Sequence, residues 1–245
     1  MSVPRLMLDE ALNPGDEYHL PDAARHHLIN VLRLRIGDHV AAFNGRDGRE
    51  AMLEVLDIDR RNARVRVLRV EPVARESALR TTLVQAVCGS DRMDYALQKA
   101  VELGVSAIQP IYTQRGHPPF SGNRLAKRCQ HWASVAIGAC EQSGRVIVPT
   151  LAEPIAFLDY LALPSVDTRI MLDPAATQGI KSIQLDAHGV SLWVGPEGGW
   201  TRDELDAAGT HGVTPVRFGP RVLRCETAGP ALLAWCQSQA GDLVE

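Results

Sequence analysis

From residue 1 to about 72 the apolar positions come in short runs that favour strands, clearest at residues 39–44 (HVAAFN), 50–56 (EAMLEVL) and 63–70 (ARVRVLRV). In the last run Val65, Val67 and Val70 are interleaved with arginines, close to the period of two of a half-buried strand. Gly37-Asp38 and Asp47-Gly48 supply turns between the strands. A helical insertion is predicted over 22–34, after Pro21, carrying His26, His27, Leu28, Val31 and Leu32. Together these predict a small β-barrel, with PVARES at 72–77 as the linker that follows it.

Past Leu79 the rhythm changes. Buried strands are predicted at 81–88, 106–112, 168–172, 190–194 and 213–218, and helices at 92–103, 123–142 and 227–239. Thr201-Arg202-Asp203-Glu204 has the form of a capping box, so a helix should start there. Strands alternating with helices predict an α/β domain with a mostly parallel sheet, whose ligands gather at the carboxyl ends of the strands. The expected organisation is two domains, 1–72 and 73–245.

Composition narrows the class. The chain is 45% hydrophobic and 22% charged, enough apolar residue for a real core. No apolar run reaches the roughly 18 residues of a membrane span, and MSVPRLMLDE lacks the basic start and apolar stretch of a signal peptide. A cytoplasmic protein is expected. The five cysteines, Cys88, Cys129, Cys140, Cys225 and Cys236, are scattered and form no C-x-x-C pair, so neither a zinc site nor a disulfide framework is predicted.

A net charge of −3 does not announce a nucleic-acid binder, yet the basic residues include only three lysines, Lys99, Lys127 and Lys181. Arginine suits bidentate phosphate contacts and stacking on bases, but a GC-rich genome by itself accounts for the bias better, and local clustering says more. Arg60, Arg61, Arg64, Arg66 and Arg69 fall in a stretch without an acid. That stretch is either a backbone-contacting surface or a solvated edge strand.

Two loops look built for a ligand. Gly195-Pro196-Glu197-Gly198-Gly199 follows an apolar strand, and its glycines allow close backbone approach. Phe218 to Arg224, running into Cys225-Glu226-Thr227-Ala228, is too polar for a simple packed turn. Neither G-x-G-x-x-G nor a phosphate-cradling G-x-x-x-x-G-K-[ST] is present.

The run V-G-P-E-G-G-W-T-x-x-E from Val194 to Glu204, followed by F-G-P-R-V-L-R-x-E-T-A from Phe218 to Ala228, resembles the bacterial ribosomal RNA small subunit methyltransferase E family. Further matching pieces, in order, are V-P-R-L from Val3, H-L-I-N-V-L-R from His27, L-Q-K-A-V-E-L-G-V from Leu97 and A-C-E-Q-S-G-R from Ala139. The family belongs to the SPOUT class and makes 3-methyluridine in 16S rRNA. The resemblance implies a PUA-like RNA-binding β-barrel followed by a mostly parallel α/β domain with a deep trefoil knot, acting as a homodimer on 16S rRNA or the small ribosomal subunit. It implies S-adenosylmethionine held by Leu172, Val194, Gly195, Pro196, Glu197, Gly198, Leu223, Arg224, Thr227 and Ala228. The sulfonium is itself cationic, so no metal is expected.

Uracil N3 is a poor nucleophile until its proton leaves, so a base, an anion-stabilising cation or both are required. Glu226 is either that base or a buried partner of Arg221 or Arg224. Arg224 suits negative charge on the uracil carbonyls, and Arg145, beside Glu141 and Gln142 at a helix end, either orients the base or joins the dimer seam. RNA capture is assigned to Arg5, His27, Arg33 and Arg35, with Arg60, Arg64 and Arg66 as positioning charge. Arg33 can equally pair with Asp38, and Trp200 either stacks on adenine or covers the knot that the resemblance implies. Two rival readings remain: a SPOUT methyltransferase acting on another RNA atom, and a non-catalytic ribosome-assembly RNA-binding protein.

Overall fold

Alternation of apolar and charged residues over 49–72 yields two ten-residue strands that carry most of the first sheet. The computed structural model describes residues 3–26, 28–29, 32–185 and 189–243. Within it the chain divides into two compact units. The first runs to Glu76 and also takes in Cys140–Val148; the second is Ser77–Ala139 and the chain from Pro149 onward.

In the first unit β1 (Arg5–Met7), β2 (Glu17–His19), β3 (His39–Phe43), β4 (Arg49–Ile58) and β5 (Ala63–Pro72) form a mixed sheet ordered β1-β3-β4-β5-β2. β1 lies parallel to β3 and the remaining neighbours are antiparallel. Leu6, Val40, Leu53, Val55, Val65 and Val67 meet in its core. The imperfect alternation of β5 has a physical cause. Met52 pairs with Arg69 but Leu53 pairs with Val67, so Leu68 is an extra residue in a β-bulge. The bulge returns Val70 to the inner face, where it packs against the core.

Of the helix predicted over 22–34, the described residues up to Ile29 are helical and those from 32 on are not. α1 spans Asp22–His26; by residue 33 the chain has turned out, with Arg33 at φ 56° and the Leu34 N–H donating to Leu28 O at 3.0 Å. His27 and Val31 lie outside the described residues.

Arg5 serves this unit rather than its surface. Its side chain is 11% exposed and its Nε donates to Glu50 at 2.7 Å. Its remaining donors reach the carbonyls of Cys140, Glu141 and Arg145. Arg145 in turn pairs with Glu76 at 2.7 Å, Glu76 accepts the amides of Val146 and Ile147, and Glu141 accepts the Met7 amide. Truncating Arg5 to alanine strands Glu50 and three carbonyls, and an unmade buried hydrogen bond costs about 1–3 kcal/mol. Arg5→Ala is therefore expected to lower unfolding stability by about 2 kcal/mol, read as a lower urea midpoint. An unchanged midpoint with weaker RNA binding would restore Arg5 to the RNA surface.

In the second unit β6 (Thr81–Ala86), β7 (Ala107–Tyr112), β8 (Thr150–Leu151), β9 (Ile155–Ala156), β10 (Thr168–Leu172), β11 (Val190–Val194) and β12 (Thr214–Val216) form one sheet. Its order is β12-β10-β11-β6-β7-β8, with β9 also on β7, and every pair is parallel. The helices are α2 (Ser90–Glu102), α3 (Gly122–Ser143, whose last residues from Cys140 on belong to the first unit), α4 (Phe157–Leu161), α5 (Arg202–Thr210) and α6 (Cys225–Ala240). Val84, Ile111, Phe157, Met171 and Trp193 build a core cluster. Thr201 caps α5 in the expected capping box with Glu204. Among the described residues no helix is long and apolar enough to cross a membrane.

Candidate active site

β10, β11 and β12 lie side by side through β10, all parallel, so their carboxyl ends open on the same edge of the sheet. The two loops singled out in the sequence leave from that edge and enclose a pocket of about 520 Å³, a usual size for a small-molecule site. Leu172, Val194, Val216, Phe218 and Leu223 supply apolar wall; Asp173, Glu197 and Glu226 supply carboxylates; Arg92, Arg217, Arg221 and Arg224 supply cations.

The 195–199 loop is shaped by close packing. The Gly199 N–H donates to Pro196 O at 2.9 Å, and Gly199 sits at φ +66°, where a side chain is disfavoured. A Cβ on Gly195 would stand 3.0 Å from the Trp200 indole, and one on Gly198 would stand 2.9 Å from Arg115 Cβ. Trp200 is 8% exposed, donates its indole N–H to Leu172 O at 3.0 Å and packs against Phe157. It is thus a fixed wall of the pocket.

Glu204 ties this loop to the one after β7. Its buried carboxylate accepts the amides of Gln114 at 2.9 Å and Thr201 at 2.8 Å, and Arg115 donates to the carbonyls of Gly198 and Trp200. The capping box made Glu204 legible as a helix start, but not as a strap between loops. Glu204→Ala leaves the Gln114 and Thr201 amides unbonded while the Thr201 hydroxyl still caps α5, so a loss of about 3 kcal/mol is expected from chemical denaturation. A loss under about 1 kcal/mol would show that solvent replaces the carboxylate.

Electrostatics centre on Arg92, which sequence reasoning did not place in the site. Its guanidinium donates to Glu197 Oε1 at 2.6 Å and lies 4.0 Å from Glu226. Burial pushes the Glu197 carboxyl up, but hydrogen bonds from its own amide, from Arg92 and from the Gly89 amide outweigh this and hold it below the ordinary carboxylate range. Because the folded pKa is the lower one, the pairing stabilises the site above the ordinary carboxylate range and fades as pH falls through the depressed value. The partner of Glu226 is Arg92, together with the Cys225 thiol at 3.3 Å, in place of the Arg221 or Arg224 expected. Arg221 and Arg224 are exposed and, among the described residues, form no ion pair.

Of the residues assigned to a cofactor, Leu172, Val194, Gly195, Pro196, Glu197, Leu223, Arg224 and Ala228 line the pocket. Gly198 and Thr227 do not; Gly198 accepts from Arg115, and Thr227 is exposed on the first turn of α6. Arg145 is absent from the lining and belongs to the first unit, buried against Glu76.

Among the residues assigned to RNA, Arg33, Arg35 and Arg60 are exposed. Asp38 accepts the Arg35 amide, and no pairing with Arg33 is found among the described residues. Arg64 and Arg66 share Glu17 of β2 at 3.2 and 2.8 Å. β5 is therefore not an edge strand: β2 covers it and brings an acid into the arginine cluster. His27 lies outside the described residues.

Comparison with known proteins agrees with this architecture. Residues 75–237 match the family described as the RNA methyltransferase domain, and residues 20–68 match the RNA methyltransferase PUA domain. A ribosomal RNA small subunit methyltransferase E from Neisseria gonorrhoeae, solved bound to S-adenosyl methionine, is 36% identical with a TM-score of 0.92, covering 99% of this chain and 100% of that one. A methyltransferase from Legionella pneumophila, solved with bound SAM, is 33% identical with a TM-score of 0.96 over 99% of this chain and all of that one. The ribosomal RNA small subunit methyltransferase E of Mycobacterium bovis is 33% identical over 224 residues, 84% of this chain and 80% of the relative. With both units matched and the strand-end pocket in place, the chain belongs to the ribosomal RNA small subunit methyltransferase E family.

Proposed function

We propose that the protein transfers a methyl group from S-adenosylmethionine to N3 of a uridine in 16S rRNA of the small ribosomal subunit, in the cytoplasm and as a homodimer. The observation that carries this is the pocket at the ends of β10, β11 and β12, in a chain 36% identical to a relative solved with that cofactor. The residues present fit the cofactor. An apolar wall suits an adenine, carboxylates suit a sulfonium cation, and exposed arginines suit a carboxylate. Leu172, Val194, Gly195, Pro196 and Leu223 would hold it, and the trefoil knot implied by the family would fix the two loops around it.

When bound, the cofactor supplies an electrophilic methyl group on a sulfonium. The protein's task is then alignment and proton management. Glu226, 17% exposed in its side chain and part of the pocket lining, accepts the N3 proton in this reading. A carboxylate is a weak base for that proton, so a cation must share the work. Arg224, at the N-cap of α6 and without an ion pair among the described residues, stabilises charge on the uracil carbonyls in this reading. Arg92 holds Glu197 and flanks Glu226, keeping both carboxylates oriented. Arg33, Arg35 and Arg60 offer phosphate contacts on the first unit.

Transfer of labelled methyl to small subunits from a strain lacking this activity, followed by nucleoside analysis, tests the reading. A 3-methyluridine peak is expected. Label on a ribose 2′-oxygen would keep cofactor and RNA but discard the target atom. No label and no cofactor binding would favour an RNA-binding assembly protein.

A further inference from the structure

The fold joins two cysteines that the sequence separates widely. Cys88 leaves the end of β6 and Cys225 opens α6; both are buried, at 4% and 6% exposure. Their sulfurs and a Glu197 carboxylate oxygen all lie within 4.8 Å of one another. The hydrogen bonds that Glu197 accepts from Arg92 and from the Gly89 amide end on Oε1. Cys225 also contacts Glu226 at 3.3 Å, which adds a second carboxylate beside the pair.

We propose that Cys88, Cys225 and Glu197 form a binding site for a thiophilic divalent cation of the zinc type. Two thiolates and one carboxylate are a donor set that favours Zn²⁺ or Cd²⁺ over Mg²⁺ or Ca²⁺. Tetrahedral zinc would bring these atoms to about 3.5–3.8 Å from one another, a closure that side-chain rotation supplies. Charge is conserved. With both thiols protonated, Glu197, Glu226 and Arg92 sum to one negative charge; the ion brings two positive charges and the thiols release two protons to solvent, leaving the local sum unchanged. The Cys88 thiol is held well above its usual range by the Cys225 sulfur, by burial and by the two carboxylates. Those same negative groups favour a cation. Entry is through the pocket, since Glu197 and Cys225 line it. On the reading of that pocket as the S-adenosylmethionine site, metal and cofactor oppose each other, each weakening the other by the same factor.

The test is titration of the reduced full-length protein with Cd²⁺, following the thiolate-to-cadmium charge-transfer absorption. One equivalent is expected per chain. Affinity should fall about 100-fold or more in C88S and in C225S, and about 10-fold in E197Q, while C129S and C236S leave it unchanged. A band that survives C88S and C225S would overturn the proposal. So would a thiol count showing these two cysteines already joined as a disulfide in the metal-free protein. A metal-free protein that binds Cd²⁺ as expected but neither binds nor uses S-adenosylmethionine would count against the methyltransferase reading and leave the metal site standing.

Discussion

Gly195→Val is expected to weaken S-adenosylmethionine binding by about 10–100-fold while leaving the sheet folded. The first added carbon would stand 3.0 Å from the Trp200 ring, and that ring cannot retreat: it is bonded to Leu172 O and packed on Phe157. Overpacking of this kind costs about 1–3 kcal/mol, and each 1.4 kcal/mol is a factor of ten in affinity. The loop must yield instead, moving Val194 and Pro196 within the pocket they line. Calorimetric titration of the variant gives the answer. Affinity within threefold of the parent, with an unchanged melting temperature, would mean the loop tolerates the shift and that the cofactor does not depend on its shape.

The second large effect concerns the proton. Glu226→Gln keeps the size of the side chain but removes its capacity as a base, and general-base assistance contributes about 10²–10⁴-fold. We expect kcat to fall about 100-fold at neutral pH with cofactor affinity little changed. The deficit should shrink as pH rises, because a uracil that ionises in solution no longer needs the carboxylate. A pH-independent deficit would instead identify Glu226 as an orienting partner of Arg92 and Cys225. An unchanged kcat would remove it from the reaction.

Long periodic segments were legible and short ones were not. The strands at Thr168–Leu172 and Val190–Val194 and the cap at Thr201 are where pattern and propensity place them. β1, β2, β8 and β9 have two or three residues each, too few to display a period. Ladder partners distant in sequence define them. The same limit governs the site. Each pocket loop announces itself by glycines and charges in sequence, yet Arg92 enters from α2 and Glu17 reaches the arginine cluster from β2, contacts that only the fold creates. Arg5 and Arg145 show why: an arginine looks available in sequence until its distant acceptors are known. The cysteines carry the same lesson, since absence of C-x-x-C excludes local chelation alone.

Borrowing Cys140–Val148 also sets a timetable for synthesis. About seventy residues separate Glu76 from Val148, and at about 5–20 residues per second the ribosome needs roughly 4–14 s to make them. Until then Arg5 lacks its carbonyl acceptors, Glu76 lacks two amides, and Gly45 lacks its bridge to Ile147. The nascent N-terminal sheet therefore waits, incompletely closed, for a segment translated after the first two strands of the second sheet. A released fragment ending at Glu76 should resemble that waiting state, more protease-sensitive than the same residues in the finished chain, and a synthetic peptide spanning 140–148 should restore its resistance.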